Sequence, residues 1–294
     1  MREFEYAAPT SLQEAIDILA RANGEGRLLA GGTDLIAQMK ENRKSPELVV
    51  DVKRIPELNV LCCDEKQGLR LGAAVSCTRI GNFPPARQHY HALAEACGLI
   101  GSVQIQNRAA VGGNFCNAAP SADTAPPILS YGGKVVIAGP NGYRELPAEN
   151  FFVGPGQTVL AKGEILVEIA VPTPPPHSAA AYLRFIPREE MDIAVAGVGS
   201  FVQFSADGRR CEQARITLAA VAPTPVRARE AEEFLVGKAP DQAAFAQAGE
   251  LAARAAKPIS DVRGSAAYRI ELVKVLTRRT LQKALERVSE QATG

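Results

Sequence analysis

Leu12, Ala15, Ile16, Leu19 and Ala20 stand at i, i+3, i+4, i+7 and i+8, the spacing of one face of an amphipathic helix. Thr10 and Ser11 are alternative N-caps for it, with Gln13 and Glu14 respectively three residues on, and Asn23-Gly24 ends it. Apolar runs at residues 4–6, 27–30 and 47–52 predict short strands. Between the last two, Leu35, Ile36 and Met39 predict a second helix, capped by Thr33 or Asp34. These elements make a β-α-β-α-β unit of about fifty residues. Residues 60–63 and 69–72 then predict a hairpin, and residues 135–138 a buried strand that can pair with 143–146 across Asn141-Gly142. Helical turns are predicted from Thr78, over 92–97 and from Pro126. A strand at 164–171 runs into Pro172-Thr173-Pro174-Pro175-Pro176, an extended spacer that cannot be helix.

Beyond that spacer the pattern predicts strands at 180–186, 196–205 and 214–221, then helices at 226–236 and 240–256 and a long last helix. Ala266, Ile270, Val273, Thr277, Leu281, Ala284 and Val288 line one face of that last helix. The expected class is α+β, ending in a three-stranded antiparallel sheet with a three-helix bundle. The expected divisions are residues 1–57, 58–173 and 177–294.

Composition narrows the function classes. The chain has 294 residues, 46% hydrophobic and 22% charged, as in ordinary globular proteins. Its 33 basic and 32 acidic residues nearly cancel, and no basic run suggests nucleic-acid binding. No apolar run reaches the length of a membrane span and the N-terminal stretch lacks a signal-peptide core, so a cytoplasmic protein is expected. Cysteines 62, 63, 77, 97, 116 and 211 contain no C-x-x-C pair, and three histidines are too few for a metal constellation. They read as free thiols, and the His89-Tyr90-His91 histidines as a surface pair.

Two stretches are built differently from the rest. Residues 110–127 contain Gly112-Gly113, Asn114, Asn117, Asp123 and a proline pair opening an apolar segment. Residues 29–35, Leu29-Ala30-Gly31-Gly32-Thr33-Asp34-Leu35, repeat the design of strand, double glycine and helix start. Such turns let backbone N–H groups approach an anion, and the pair predicts one ligand held between two loops. A dinucleotide fingerprint, a Walker lysine, a G-x-S-x-G elbow and an HExxH motif are all missing.

The motifs AGGTDL at 30–35 and AVGGNFCNAAPSADTAPP resemble the two diphosphate-binding loops of the FAD-binding medium subunit of molybdenum hydroxylases, the xanthine dehydrogenase and carbon monoxide dehydrogenase family. Gly101-Ser102-Val103-Gln104-Ile105, Glu164-Ile165-Leu166, residues 188–194 (REEMDIA) and residues 264–269 (GSAAYR) extend the resemblance over the whole chain. It implies a two-subdomain flavin-binding domain of the vanillyl-alcohol oxidase kind ahead of the C-terminal domain. It implies FAD in this chain, and partner subunits carrying molybdenum–pterin (large) and two [2Fe–2S] clusters (small), arranged as a dimer of heterotrimers. Electrons would pass from the clusters through FAD to a terminal acceptor.

Residue by residue, the resemblance puts Leu29, Ala30, Gly31, Gly32, Thr33, Asp34 and Leu35 on the diphosphate, with Gly31 and Gly32 leaving room for its close approach. Ala110, Val111, Gly112, Gly113 and Asn114 form the opposing wall, and Asn117 and Asp123 reach the ribose and adenine side. Leu166 and Arg184 lie near the isoalloxazine, where a cation favours the anionic reduced flavin. Ala110 replaces a hydroxyl residue common in the family, removing one bond to phosphate. The cysteine-bearing insertion of 4-hydroxybenzoyl-CoA reductase is missing, so no [4Fe–4S] cluster is expected. The alternative is a self-contained FAD-dependent reductase or oxidase of the same superfamily.

Overall fold

The computed structural model describes residues 1–293. β1 (Glu5–Ala7), α1 (Leu12–Arg21), β2 (Gly26–Leu29), α2 (Leu35–Lys40) and β3 (Leu48–Asp51) form a parallel sheet in the order β1-β3-β2. Ser11 is the N-cap of α1: its Oγ accepts from Glu14 N, while the Glu14 carboxylate accepts from Thr10 N. Leu12, Ala15, Ile16 and Leu19 are buried against β3 and the next sheet. Ala20 is exposed, contrary to the pattern, because eight residues at 100° each carry it about 80° round the helix from Leu12.

β4 (Leu61–Asp64) and β5 (Gly68–Gly72) make the expected hairpin. Six short helices follow: α3 (Cys77–Gly81), α4 (Pro84–His89), α5 (His91–Gly98), α6 (Val103–Gln106), α7 (Val111–Asn117) and α8 (Ala125–Ser130). Then come β6 (Lys134–Gly139), β7 (Gly142–Pro147), a small hairpin of β8 (Phe152–Gly154) and β9 (Gln157–Thr158), and β10 (Ile165–Val171). The strands order as β4-β5-β10-β6-β7, all antiparallel. β10 is central, and its Glu168 is buried under a bidentate grip from Arg70 at 2.9 and 2.6 Å.

β11 (Ser178–Phe185), β12 (Ala196–Phe204), β13 (Cys211–Ala219) and β14 (Val226–Arg227) form the last sheet, followed by α9 (Arg229–Leu235), α10 (Gln242–Ala255) and α11 (Ala266–Thr293). The sheet has four strands rather than three. Residues 226–227, read as helix from the pattern, pair with Thr217 and Leu218 instead. Two residues carry no period, so only the tertiary pairing reveals that edge strand. The three helices form a layer on one face of this sheet, enclosing Val198, Ile216, Leu218, Phe245 and Leu281.

The opposite face, with Ala180, Tyr182 and Phe201, closes the core that also holds Phe115, Ile128 and Leu166. α8 lies on that face, and a Cβ at Gly199 would fall 2.9 Å from the carbonyl carbon of Pro126. Ser130 Oγ donates to Gly199 O at 2.9 Å, and Ala220 N donates to Pro120 O at 2.7 Å. At the far edge Glu95 of α5 meets Lys283 and Arg287 of α11, and Arg287 also donates to Ala180 O. The segment from residue 110 to 130 is thus seated on the C-terminal sheet.

Glu232 of α9 is 5% exposed, grips Arg227 through both oxygens and accepts Ile216 N at 2.8 Å. Removing one partner of such a pair strands the other charge, so Glu232→Ala should cost about 3 kcal/mol in denaturant unfolding. A loss below about 1 kcal/mol would show that Glu149, 3.1 Å from Arg227, suffices.

Candidate functional site

The first loop leaves β2 at Leu29 and enters α2 at Leu35. Gly32 has φ +77°, a conformation that glycine adopts without strain. Ile36 N bonds Gly32 O at 3.0 Å, so the helical pattern starts directly from the glycine. Neither Thr33 nor Asp34 supplies the expected side-chain cap. Asp34 already has helical angles (φ −93°, ψ −48°), and a capping carboxylate needs extended backbone to reach back to the second or third N–H.

The second loop begins at Ala110, the N-cap of α7, with extended backbone and no side-chain bond. It is pinned beside Ser76 by Cys77 N to Ala109 O (2.8 Å) and Val111 N to Val75 O (3.4 Å). At its other end Ala118 is left-handed (φ 45°) and its carbonyl accepts Gly156 N at 2.9 Å.

The two loops touch. A Cβ on Gly31 would lie 2.2 Å from Arg108 O and 2.8 Å from Ala109 Cα, so Gly31 is the point of backbone contact between them. Gln38 Nε2 of α2 donates to Asn117 Oδ1 of α7 at 3.1 Å, a second bridge. The expectation that paired glycines leave room for a ligand therefore divides. Gly31 makes room for Arg108, and Gly112 for the Ala73 backbone, 2.5–2.6 Å from its Cβ position. Gly32 would press on Leu29 and Ile36. Gly113 alone of the four faces space, with only Ala110 Cβ at 3.9 Å.

A surface recess of about 350 Å³ beside the first loop is lined by Gly31, Gly32, Thr33, Ile36, Lys40 and Arg108. Both cations are exposed and make no hydrogen bond or ion pair to described residues, so the groove is electropositive. A larger recess of about 470 Å³, lined by Arg70, Glu168 and Tyr143, lies on the open face of the five-stranded sheet, away from both loops.

Asp123 and Arg184 meet each other. Arg184 donates to Asp123 Oδ2 at 2.5 Å and to Leu99 O at 2.6 Å, and Tyr182 OH donates to Asp123 Oδ1 at 2.7 Å. Burial raises the Asp123 carboxyl above its ordinary range, and Arg184 and Tyr182 pull it back. Burial likewise pushes the Tyr182 phenol well up, with Asp123 adding to the shift. Both carboxylate oxygens and the guanidinium charge are therefore engaged inside the chain. A free cation is not what Arg184 presents, and Asp123 holds the loop to β11 in place of standing open as an acceptor. The spacing of 61 residues gave no sign of that pair.

Leu166 is 2% exposed, inside the main core beside a bulge of β10. The Cys116 thiol is pushed up to about 12 by burial, far from the thiolate a redox or nucleophilic role needs. Among the described residues no group of three or more His, Cys, Asp or Glu is placed to hold a metal ion, and no helix is long and apolar enough to cross a membrane. Gln38, Thr124, Tyr182, Lys40 and Arg108 were not assigned from the sequence. Thr124 lies inside the second motif, but its partner becomes visible only once α7 and α8 are folded together.

Residues 2–174 match the family described as "FAD binding domain in molybdopterin dehydrogenase", and residues 181–284 match "CO dehydrogenase flavoprotein C-terminal domain". The chain belongs to the FAD-binding medium subunits of the molybdenum hydroxylases, which are flavoprotein subunits of multi-subunit molybdenum-containing dehydrogenases. It is 32% identical over 281 residues to the putative xanthine dehydrogenase FAD-binding subunit of Escherichia coli (strain K12), covering 95% of each chain. It is 34% identical to the carbon monoxide dehydrogenase medium chain of Hydrogenophaga pseudoflava over 97% of this chain and 98% of that one. The solved carbon monoxide dehydrogenase of Hydrogenophaga pseudoflava superposes with a TM-score of 0.93 at 34% identity, covering 97% of this chain and 98% of that one. Quinoline 2-oxidoreductase from Pseudomonas putida 86 superposes with a TM-score of 0.90 at 31% identity, covering 98% of each chain.

The glycines give two checks. Gly113→Ala should leave thermal unfolding within about 0.5–1 kcal/mol of the wild type, the helix-propensity range. Gly31→Ala should destabilise the fold by more than about 2 kcal/mol, since backbone must move. Equal stability of both variants would contradict the loop contact. In thiol labelling of the folded chain at pH 8, exposed Cys62 should react first and buried Cys77 and Cys97 only on unfolding.

Proposed function

We propose that this chain is the FAD-carrying electron-transfer subunit of a heterotrimeric molybdenum hydroxylase. It takes electrons from the [2Fe–2S] clusters of a small subunit and delivers them to a terminal acceptor. The large subunit carries molybdenum–pterin, and two heterotrimers pair. The observation that carries this reading is the contact between the two glycine loops, beside a recess lined by the first loop and Arg108, within a chain that matches flavin subunits from end to end.

The residues present fit a dinucleotide. Gly113 leaves its side of α7 open, Asn114 and Asn117 stand on that side, and Lys40 and Arg108 put positive charge beside the first loop. Leu29 to Leu35 would hold the diphosphate from one side and Ala110 to Asn114 from the other. Ala110 has no hydroxyl to add, and Asn117 lies toward the ribose. Asp123 and Arg184 act as a neutral pair that fixes the loop, and Leu166 packs beneath the site. FAD supplies a group that holds one or two electrons and so couples one-electron donors to two-electron acceptors.

The relatives named above differ in substrate: xanthine, carbon monoxide and quinoline. Their identities to this chain differ by only a few per cent, between 31% and 34%. That spread supports a substrate chosen on another subunit. It disfavours the self-contained reductase or oxidase, which would need substrate-specific groups here.

Purification of the intact assembly, with flavin and metal analysis and identification of every chain, tests the reading. Expected are FAD equimolar with this chain and co-purifying molybdenum- and iron-bearing subunits. A fully assembled complex free of flavin would overturn it. Substrate turnover by this chain alone would favour the self-contained enzyme.

A further inference from the structure

Two side-chain amides on one face of α7 are held the same way round. Asn114 Oδ1 accepts from Thr124 Oγ1 at 2.7 Å, and Asn117 Oδ1 accepts from Gln38 Nε2 at 3.1 Å. Three residues apart on a helix, the two amides are neighbours, and Gly113 lies beside them with its Cβ direction open. In each amide the oxygen is engaged by a protein donor. Neither Nδ2 makes a hydrogen bond to a described residue, and both asparagines are half-buried.

An unrestrained asparagine can turn either end outward, and the two ends act oppositely on an anion. The NH2 end attracts it, and the carbonyl oxygen repels it. Here the choice is made elsewhere. Thr124 is fully buried, so its hydroxyl proton needs an internal acceptor, and Asn114 Oδ1 is the acceptor it has. Gln38 gives its NH2 group to Asn117 while its own Oε1 is buried without a donor, so this bridge fixes where the Asn117 amide sits. Gln38 also sits where α2 folds back, its carbonyl accepting Arg43 N at 2.8 Å and Lys44 N at 3.2 Å, so its position is set by the first loop's helix.

We propose that Thr124 is a positioning residue that locks Asn114 as a hydrogen-bond donor toward the diphosphate of the dinucleotide, and that Gln38 holds the Asn117 amide in place on the ribose side. The proposal rests on the FAD reading above. One residue comes from each side of the cleft: Thr124 precedes α8 and follows the second loop, and Gln38 belongs to α2 after the first. The polarity at Asn114 is therefore set by a residue that need not touch the ligand.

The test is FAD titration of the flavin-stripped full chain by flavin fluorescence, with the thermal midpoint of each stripped variant measured alongside. Thr124→Val keeps the volume and removes the hydroxyl, and Thr124→Ser restores it. Thr124→Val and Gln38→Leu are each expected to weaken FAD about tenfold, the scale of one hydrogen bond to a charged group, and Thr124→Ser to bind like the wild type. Asn114→Asp, which places acceptors at both ends, should weaken FAD more than Asn114→Leu. Unchanged FAD affinity in Thr124→Val overturns the proposal and leaves the flavin reading standing. So does Asn114→Asp binding as well as Asn114→Leu. Failure of the wild-type chain, stripped or freshly purified, to bind FAD at all overturns both.

Discussion

α8 rests on β12 backbone to backbone. At Gly199 there is no room for a Cβ between the strand and the carbonyl of Pro126, and that contact seats α8 on β12. Ser130, inside α8, donates to Gly199 O, and Pro120, at the exit of the second loop, accepts Ala220 N. Arg184 and Tyr182, on the neighbouring strand, take both oxygens of Asp123. The cleft is therefore shaped from three directions: the first loop through Gly31, the second sheet through Ala73 at Gly112, and the C-terminal sheet through α8. A buried ion pair is a poor source of net stability but a strict geometric constraint, and here it serves as a fixed strut.

Charge is distributed to match. The buried Asp123–Arg184 pair is neutral overall, so it neither attracts nor repels an anion. Attraction is left to half-buried amide NH2 groups and to the exposed Lys40 and Arg108, which line the groove without counter-ions among the described residues. Exposed cations are screened over about 8 Å at physiological salt and favour arrival more than retention. Short, fixed hydrogen bonds at the amides discriminate by geometry.

The local elements were legible because their information is local. The α1 stripe, the β4–β5 hairpin, the Asn141-Gly142 turn and the long face of α11 are set by spacing within a few residues. The two glycine motifs marked segments that the fold brings into contact. The division of labour among the glycines was not legible, since whether Gly31 faces a ligand or Arg108 depends on a neighbour 77 positions away. The Asp123–Arg184 pair, the Gln38–Asn117 bridge and the edge strand at Val226–Arg227 share that character. Each joins segments with no common period. Thr124 shows the limit most plainly: it stood inside the motif with a visible hydroxyl, but its partner Asn114, ten residues earlier, is fixed by the packing of α7 against α8.

The strut has a consequence for the order of manufacture. Its far side consists of β11, β12 and the segment around Ala220, which leave the ribosome some 60 to 100 residues after the loop they support. While the nascent chain is still short, the glycine-rich segment has its parallel-sheet neighbour but nothing to lie on, and Asp123 has no cation to meet. Its final shape is available only once translation has passed the C-terminal sheet. A chain truncated at the proline spacer would keep both motifs while lacking the floor that sets them.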